Sequence, residues 1–432
     1  MSRHNGCGAS HARTAPPQLV DAVKTFQHKK VRALLKEEKL PLGRTVIELA
    51  AVEYYNQKVF EVIATCLAER RRELLELARG AMTSPIFLEA CGIRQETDIL
   101  DSQAAAVADA LHISKVIDCA KHAYFDPDFP WASCATSLYF LVSCNKQAAQ
   151  ILYDVGFRNV DEADQLGNSP VSALKIPKPG LDVYQGEWMV SHAINATMRY
   201  LAMCQWFRDR GASLYRVFGV SQGTPMHHIA FHVGRCFGWL LRDAYDEQTC
   251  GGSKSAECSI SAMSERLMPF NKGYSPFLRQ ILDASHCDLY SCVCAVGGCR
   301  PANLIYNEVL SEMHTPTTVH IFMETFVRIL EPEDEVAALA FYKNQAPMFL
   351  RACTFACLKL QHTCVSAGKK SGIQLLTDKN YRKGRLEELL SEVVDWIVDR
   401  KELQDMPPPE CWTWWRARLA RALEQFGITL SE

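Results

Sequence analysis

Four cysteines fall within thirteen residues as Cys287-x4-Cys292-x-Cys294-x4-Cys299. Four thiolates on a short Gly-containing loop could surround a Zn²⁺ tetrahedrally and stabilise that loop outright, which makes Cys287, Cys292, Cys294 and Cys299 the candidate metal ligands. His286 is an alternative fourth ligand. The spacing differs from paired C-x2-C knuckles, and a C-x-C pair strains to place both sulfurs on one ion. The competing reading is a reduced Cys-rich turn, since a reducing compartment disfavours a stable disulfide. A second group is His227, His228 and His232, with His228 and His232 one helical turn apart. In H-E-x-x-H the intervening Glu activates water. Here Ile229, Ala230 and Phe231 intervene, no base is present, and a structural role is expected. Gly251-Gly252-Ser253-Lys254-Ser255 lacks the spacing of a phosphate loop. Asp126 and Asp128 near His122 lack a nucleophile, and no G-x-S-x-G elbow occurs. No catalytic residue is assigned, and no cofactor beyond the candidate zinc is expected.

The chain of 432 residues is 48% apolar and 22% charged, the composition of a folded domain with a large core. Its net charge of −2 offers no global attraction to nucleic acid, so direct nucleic-acid binding is not expected. Arg70-Arg71-Arg72, flanked by Glu69, Glu73 and Glu76, reads as the solvated face of a helix. The longest apolar runs, such as Ser137 to Ser143, are too short for a membrane span. Residues 1–17 read as disordered and not as a signal peptide. A cytoplasmic or nuclear protein is therefore expected. Most of the 18 cysteines, including Cys66, Cys204, Cys236, Cys353 and Cys357, sit alone on apolar helical faces as small hydrophobes.

The elements that would carry these residues are helical. Leu19, Ala22, Val23 and Phe26 share one face, followed across a short break by Val31, Leu34 and Leu35, an αα-hairpin pattern. Val46, Ile47, Ala50 and Ala51 begin another unit that continues through Val59, Val62, Ile63 and Leu67. Ser137 to Val142 fits a buried helix or a short strand. Gly156 reads as a helix C-cap. Further helices are predicted over Met198–Arg210 and, as the second arm of a hairpin, over Gly234–Ala244. Beyond Thr317, stripes at Val319, Phe322, Phe326 and Leu330, at Met348 to Leu360, and at Leu386 to Ile397 predict a helical C-terminal region. Its final helix, Trp412 to Phe426, reads as docked through Trp rather than laid on a membrane.

Two stretches share a turn-and-helix signature. Asp164-Gln165-Leu166-Gly167-Asn168-Ser169-Pro170-Val171 places Gly where the turn needs positive φ and Ser before a helix-opening Pro. Gly223-Thr224-Pro225-Met226-His227-His228-Ile229-Ala230 repeats the arrangement with Thr. A weaker third is Gly297-Gly298-Cys299-Arg300-Pro301. The chain thus resembles the ankyrin repeat family, and in particular fungal proteins that combine degenerate ankyrin units with a Cys-rich turn and a helical tail. Pro170, Pro225 and Pro301 are separated by 55 and 76 residues, against about 33 in an undecorated array. Insertions must therefore separate the units.

The resemblance implies an all-α fold: a degenerate ankyrin-type helical stack, an αα-hairpin solenoid, with a C-terminal helical domain. The expected divisions are a disordered 1–17, repeat-like hairpins over 18–150, ankyrin repeats over 151–245, a degenerate third repeat with the Cys-rich turn over 246–310, and the C-terminal domain over 311–432. It places His227 where an imidazole bonds the backbone of a neighbouring loop. It also implies a non-catalytic scaffold or regulator that binds a protein partner, whose identity the sequence does not name. Alternatives are a nuclear transcriptional co-regulator linked to a fungal secondary-metabolite gene cluster and an enzyme of unrecognised type.

Overall fold

A computed structural model of the protein describes residues 16–37, 40, 42, 44–81, 137–164, 167–176, 187–217, 223–250, 267–287 and 299–312, with 345, 348, 352, 417 and 421. Among these, 73% are helical and none lies in a strand, as the all-α expectation requires. Apart from Met348, the residues of the expected C-terminal stripes lie outside the described residues, as do the Asp126–Asp128 loop, Gly251–Ser255, Cys292 and Cys294. Two compact units are formed: one by the chain up to Lys175 with Met203–Ser213, the other by Ile176–Ala202 with the chain from Leu214 onward.

In the first unit, α1 (Pro17–Lys24) starts on a proline whose missing N–H costs nothing at that position. It buries Leu19, Ala22 and Val23 against α2 (His28–Lys36), which buries Val31, Leu34 and Leu35. The expected hairpin is present, with one correction. Phe26, which continues the apolar spacing of α1, is 47% exposed. The helix ends at Lys24, and Phe26 turns out of it with φ +57°.

Helix α3 (Arg44–Glu48) continues into a π-turn (Leu49–Glu53), and together they bury Val46, Ile47, Ala50 and Ala51. Helix α4 (Gln57–Ala81) buries Val59, Phe60, Ile63 and Leu67. The arginine run on α4 is only partly a solvated face. Arg70 Nη2 donates to the carbonyls of Leu35 at 2.8 Å and Leu40 at 2.9 Å, satisfying one backbone acceptor in the last turn of α2 and one beyond its end. The Arg71 guanidinium lies 4.7 Å over the Phe157 ring, and Arg72 alone is exposed.

Ser137–Val142 resolves the open choice between helix and strand as a buried 3₁₀ turn (Leu138–Leu141). Asn145 caps α5 (Lys146–Asp154) by accepting from the Ala148 N–H at 3.1 Å, while its amide donates to the Ala51 carbonyl at 2.6 Å. One side chain thus begins a helix and ties it to the π-turn. Gly156 ends α5 with φ +115°, as its position predicts. Helix α6 (Pro170–Ala173) is short, and Pro177 in the sequence disfavours a helical Ile176.

Helix α7 (Glu187–Asp209) starts eleven residues before the predicted Met198. Its residues up to Ala202 belong to the second unit and those from Met203 to the first. In the second unit, α8 (Pro225–Cys250) is one continuous helix of 26 residues. The hairpin predicted between its first turns and Gly234–Ala244 does not exist. Gly234 does not break the helix; it lets α10 (Pro301–Glu312) approach. A Cβ at Gly234 would stand 2.7 Å from the Ile305 Cα and carbonyl oxygen. Around this contact Met226, Ile229, Ala230, Val233, Phe237 and Leu240 of α8 and Leu304, Ile305 and Val309 of α10 are buried. Helix α9 (Asn271–Leu282), after a 3₁₀ turn at Met268–Phe270, adds Phe277, Leu278 and Ile281, and Phe270 packs its ring 5.1 Å from Phe237.

Candidate functional site

All three marker prolines open helices: Pro170 starts α6, Pro225 starts α8 and Pro301 starts α10. Each turn preceding them is held by short polar side chains. In the first unit Asp164 Oδ1 accepts from the Asn168 N–H at 2.8 Å, Gly167 supplies φ +77°, and Ser169 Oγ accepts from the Ser172 N–H at 3.3 Å. Asp161 Oδ2 accepts from the Ser213 N–H at 3.1 Å. A carboxylate at the start of one turn thereby fastens the loop that follows α7.

The second unit repeats this linkage with His227. Its Nδ1 lies 2.7 Å from Thr224 Oγ1 and accepts from the Thr224 N–H at 3.3 Å. A nitrogen that accepts an amide proton carries none of its own, so the neutral ring bears its hydrogen on Nε2. That Nε2 donates to the Cys299 carbonyl at 2.7 Å. The expectation that this imidazole binds the backbone of a neighbouring loop is met. Both groups are enclosed, with Thr224 and His227 each 1% exposed. At the next helix start, the Arg300 N–H donates to Asn303 Oδ1 at 3.1 Å, so Asn303 accepts the N–H three residues before it in α10 as His227 does in α8.

These contacts fix the direction of packing. His227 near the start of α8 meets Cys299 just before α10, and Gly234 seven residues on meets Ile305 six residues on. The two helices therefore run side by side in the same direction, close to register. Successive repeat units stack that way, whereas the two arms of a hairpin run opposed.

His228, His232 and His286 belong to no group among the described residues that could hold a metal ion. The His232 ring lies edge-on to Tyr200 at 5.6 Å. Burial pushes the His228 pKa below its usual value. His286 stacks on the Tyr215 ring at 4.4 Å. Of the candidate zinc ligands, Cys287 is exposed and Cys299 is fully buried, while Cys292 and Cys294 lie outside the described residues. The Cys236 thiol, against Thr197, is pushed up to about 11 by burial. It is protonated near neutrality and unsuited to act as a nucleophile.

In the second unit, Arg216 and Val217 reach solvent shortly before α8. The Met226 N–H donates to the Leu214 carbonyl at 3.0 Å and pins the loop at its base. Beyond it Tyr215 is half-buried, held by His286 and by Gln280 Nε2 at 3.2 Å from its hydroxyl, and Val217 is 40% exposed. The arrangement presents a rigid aromatic beside an apolar side chain and supplies no paired acid and base. Sequence reasoning missed Tyr215, because a single tyrosine after Gly211-Ala212-Ser213-Leu214 has no periodic signal. Its importance comes from His286, which lies 71 residues away in the chain.

No family model matches the chain. No curated protein matches it, and no solved structure matches it.

Proposed function

We propose that the chain is a non-catalytic scaffold that binds another protein through the loops preceding its Pro-led helices. The observation that carries this reading is the bond from His227 to the Cys299 carbonyl. It ties one helix-opening turn to the next, which is how stacked helical units hold their loops in a fixed array. The parallel contact of α8 with α10 supports the same reading. So does the pairing of half-buried Tyr215 with exposed Val217, since an aromatic held in place beside an apolar group is the usual anchor of a protein interface. A degenerate ankyrin-type stack accounts for the three helix-opening prolines. The continuous α8 departs from that pattern and makes this unit a decorated one.

Affinity purification of the full chain tests the proposal. A stable partner recovered by the native protein and lost from Tyr215→Ala and Val217→Asp, with an unchanged melting temperature, is the expected result. Failure to recover any partner across varied growth conditions, or recovery that ignores both substitutions, overturns it.

A further inference from the structure

We propose that the turn between α1 and α2 docks on an anionic phospholipid surface, with Phe26 as the inserted side chain. Three helix ends among the described residues close with the same pair of backbone bonds. After α5 the Gly156 N–H reaches the Tyr153 carbonyl and the Phe157 N–H reaches Leu152; after α7 the Gly211 N–H reaches Arg208 and Ala212 reaches Phe207. After α1 the Phe26 N–H reaches Val23 and the Gln27 N–H reaches Ala22. The first two ends place glycine at the left-handed position, with φ +115° and +90°, where a side chain is disfavoured. The third places phenylalanine there at φ +57° and leaves that residue 47% exposed. A bulky residue in this conformation is strained, and its exposed ring contributes little packing in return.

The surroundings of the ring are cationic. Between residues 22 and 36 the chain has five Lys or Arg and no carboxylate. Lys24, Lys29, Lys30 and Arg32 are without a carboxylate partner among the described residues; Lys36 alone pairs, with Glu69 at 2.8 Å. Lys29 and Arg32 stand one helical turn apart on the exposed face of α2. Lys24 Nζ lies 5.7 Å over the Tyr54 ring, which links this turn to the segment carrying Val52. Phe26 and Val52, at 49%, are the exposed large apolar side chains of this unit among the described residues. The acidic side chains nearest in sequence are Asp21, a turn back on α1, and Glu37, beyond the far end of α2.

An apolar ring at a turn between two helices, flanked in sequence by cations without a carboxylate partner among the described residues, fits a surface that takes both at once. The headgroup layer of an anionic bilayer does so, with phosphates for the lysines and the acyl boundary for the ring. An acidic peptide would use the cations and leave the ring in water.

The test uses the full chain and sedimentation with vesicles of phosphatidylcholine alone or with phosphatidylserine as a minor component. Partition is expected to be about tenfold or more stronger on the phosphatidylserine vesicles and to weaken with added salt. Phe26→Gly is expected to reduce it by about tenfold while the melting temperature stays level or rises, because glycine relieves the turn. Phe26→Leu should retain most binding, and Lys29→Glu with Arg32→Glu should abolish it. Equal partition to both vesicles, undiminished partition by Phe26→Gly, or capture by polyglutamate or RNA without vesicle binding overturns the proposal.

Discussion

His227 donates from Nε2 to the carbonyl of Cys299, 72 residues further along the chain, across 2.7 Å in a fully enclosed setting. His227→Ala leaves that carbonyl and the Thr224 N–H without their partner, and buried unsatisfied groups cost about 1–3 kcal/mol each. The variant is expected to lose about 2–4 kcal/mol in a denaturant titration. A loss below 1 kcal/mol would show that the bond does not hold the two turns together.

At Gly234 two effects oppose each other. Replacing an unconstrained helical glycine by alanine stabilises by about 1 kcal/mol. Here the added Cβ would meet Ile305 backbone at 2.7 Å, which a side-chain rotation cannot relieve. Gly234→Ala is therefore expected to destabilise by about 2 kcal/mol or more, as overpacking does. A raised melting temperature would contradict the close crossing of α8 and α10.

Arg70 and Arg72 are separated by one residue and differ in what they hold. Arg70→Ala removes a charged donor from two carbonyls and is expected to cost about 1.5–3 kcal/mol. Arg72→Ala, at an exposed position, should stay within about 0.5 kcal/mol of the native protein. Equal effects in chemical denaturation would remove the distinction.

Acidification should weaken the fold through His228, whose pKa burial lowers from the usual 6.5. The unfolded chain takes up this proton before the folded protein does, so the contribution is complete above about pH 6.5 and is lost as the pH falls below it. The slope reaches up to about 1.4 kcal/mol per pH unit for this one group. Comparing the pH dependence of unfolding in the native protein and in His228→Gln checks it, with a shallower acid limb expected in the variant.

Zinc held by Cys287, Cys292, Cys294 and Cys299 requires about one equivalent of metal in protein purified without chelator. That metal must disappear when Cys292 and Cys294 are both changed to Ser. Metal-free native protein would retire the site.

Helix starts were legible because they are local. Ser169 accepts from the Ser172 N–H, Thr224 meets the His227 ring three residues on, each precedes a proline that opens its helix, and Gly156 satisfies a φ that its own turn imposes. The apolar faces of α1, α2 and α4 were legible for the same reason, since a period of 3.6 places their residues together whatever lies opposite. Phe26 shows where that logic stops. Its spacing continues the buried stripe, yet the helix ends two residues earlier, and the stripe carries no record of the end.

The helical character, the three helix-opening prolines and the polar residues beside them follow from local sequence, because neighbouring residues supply all the physics these features need. What Gly234 is for emerges once α8 and α10 are packed together. A glycine reads the same whether it breaks a helix or admits a neighbour, and the difference lies in Ile305, 71 residues away. The pairing of His227 with Cys299, the hold of Arg70 on Leu35 and Leu40, and the exposure of Phe26 were likewise decided in three dimensions. Each depends on which atoms arrive from elsewhere in the chain, or fail to arrive, and local spacing does not encode that.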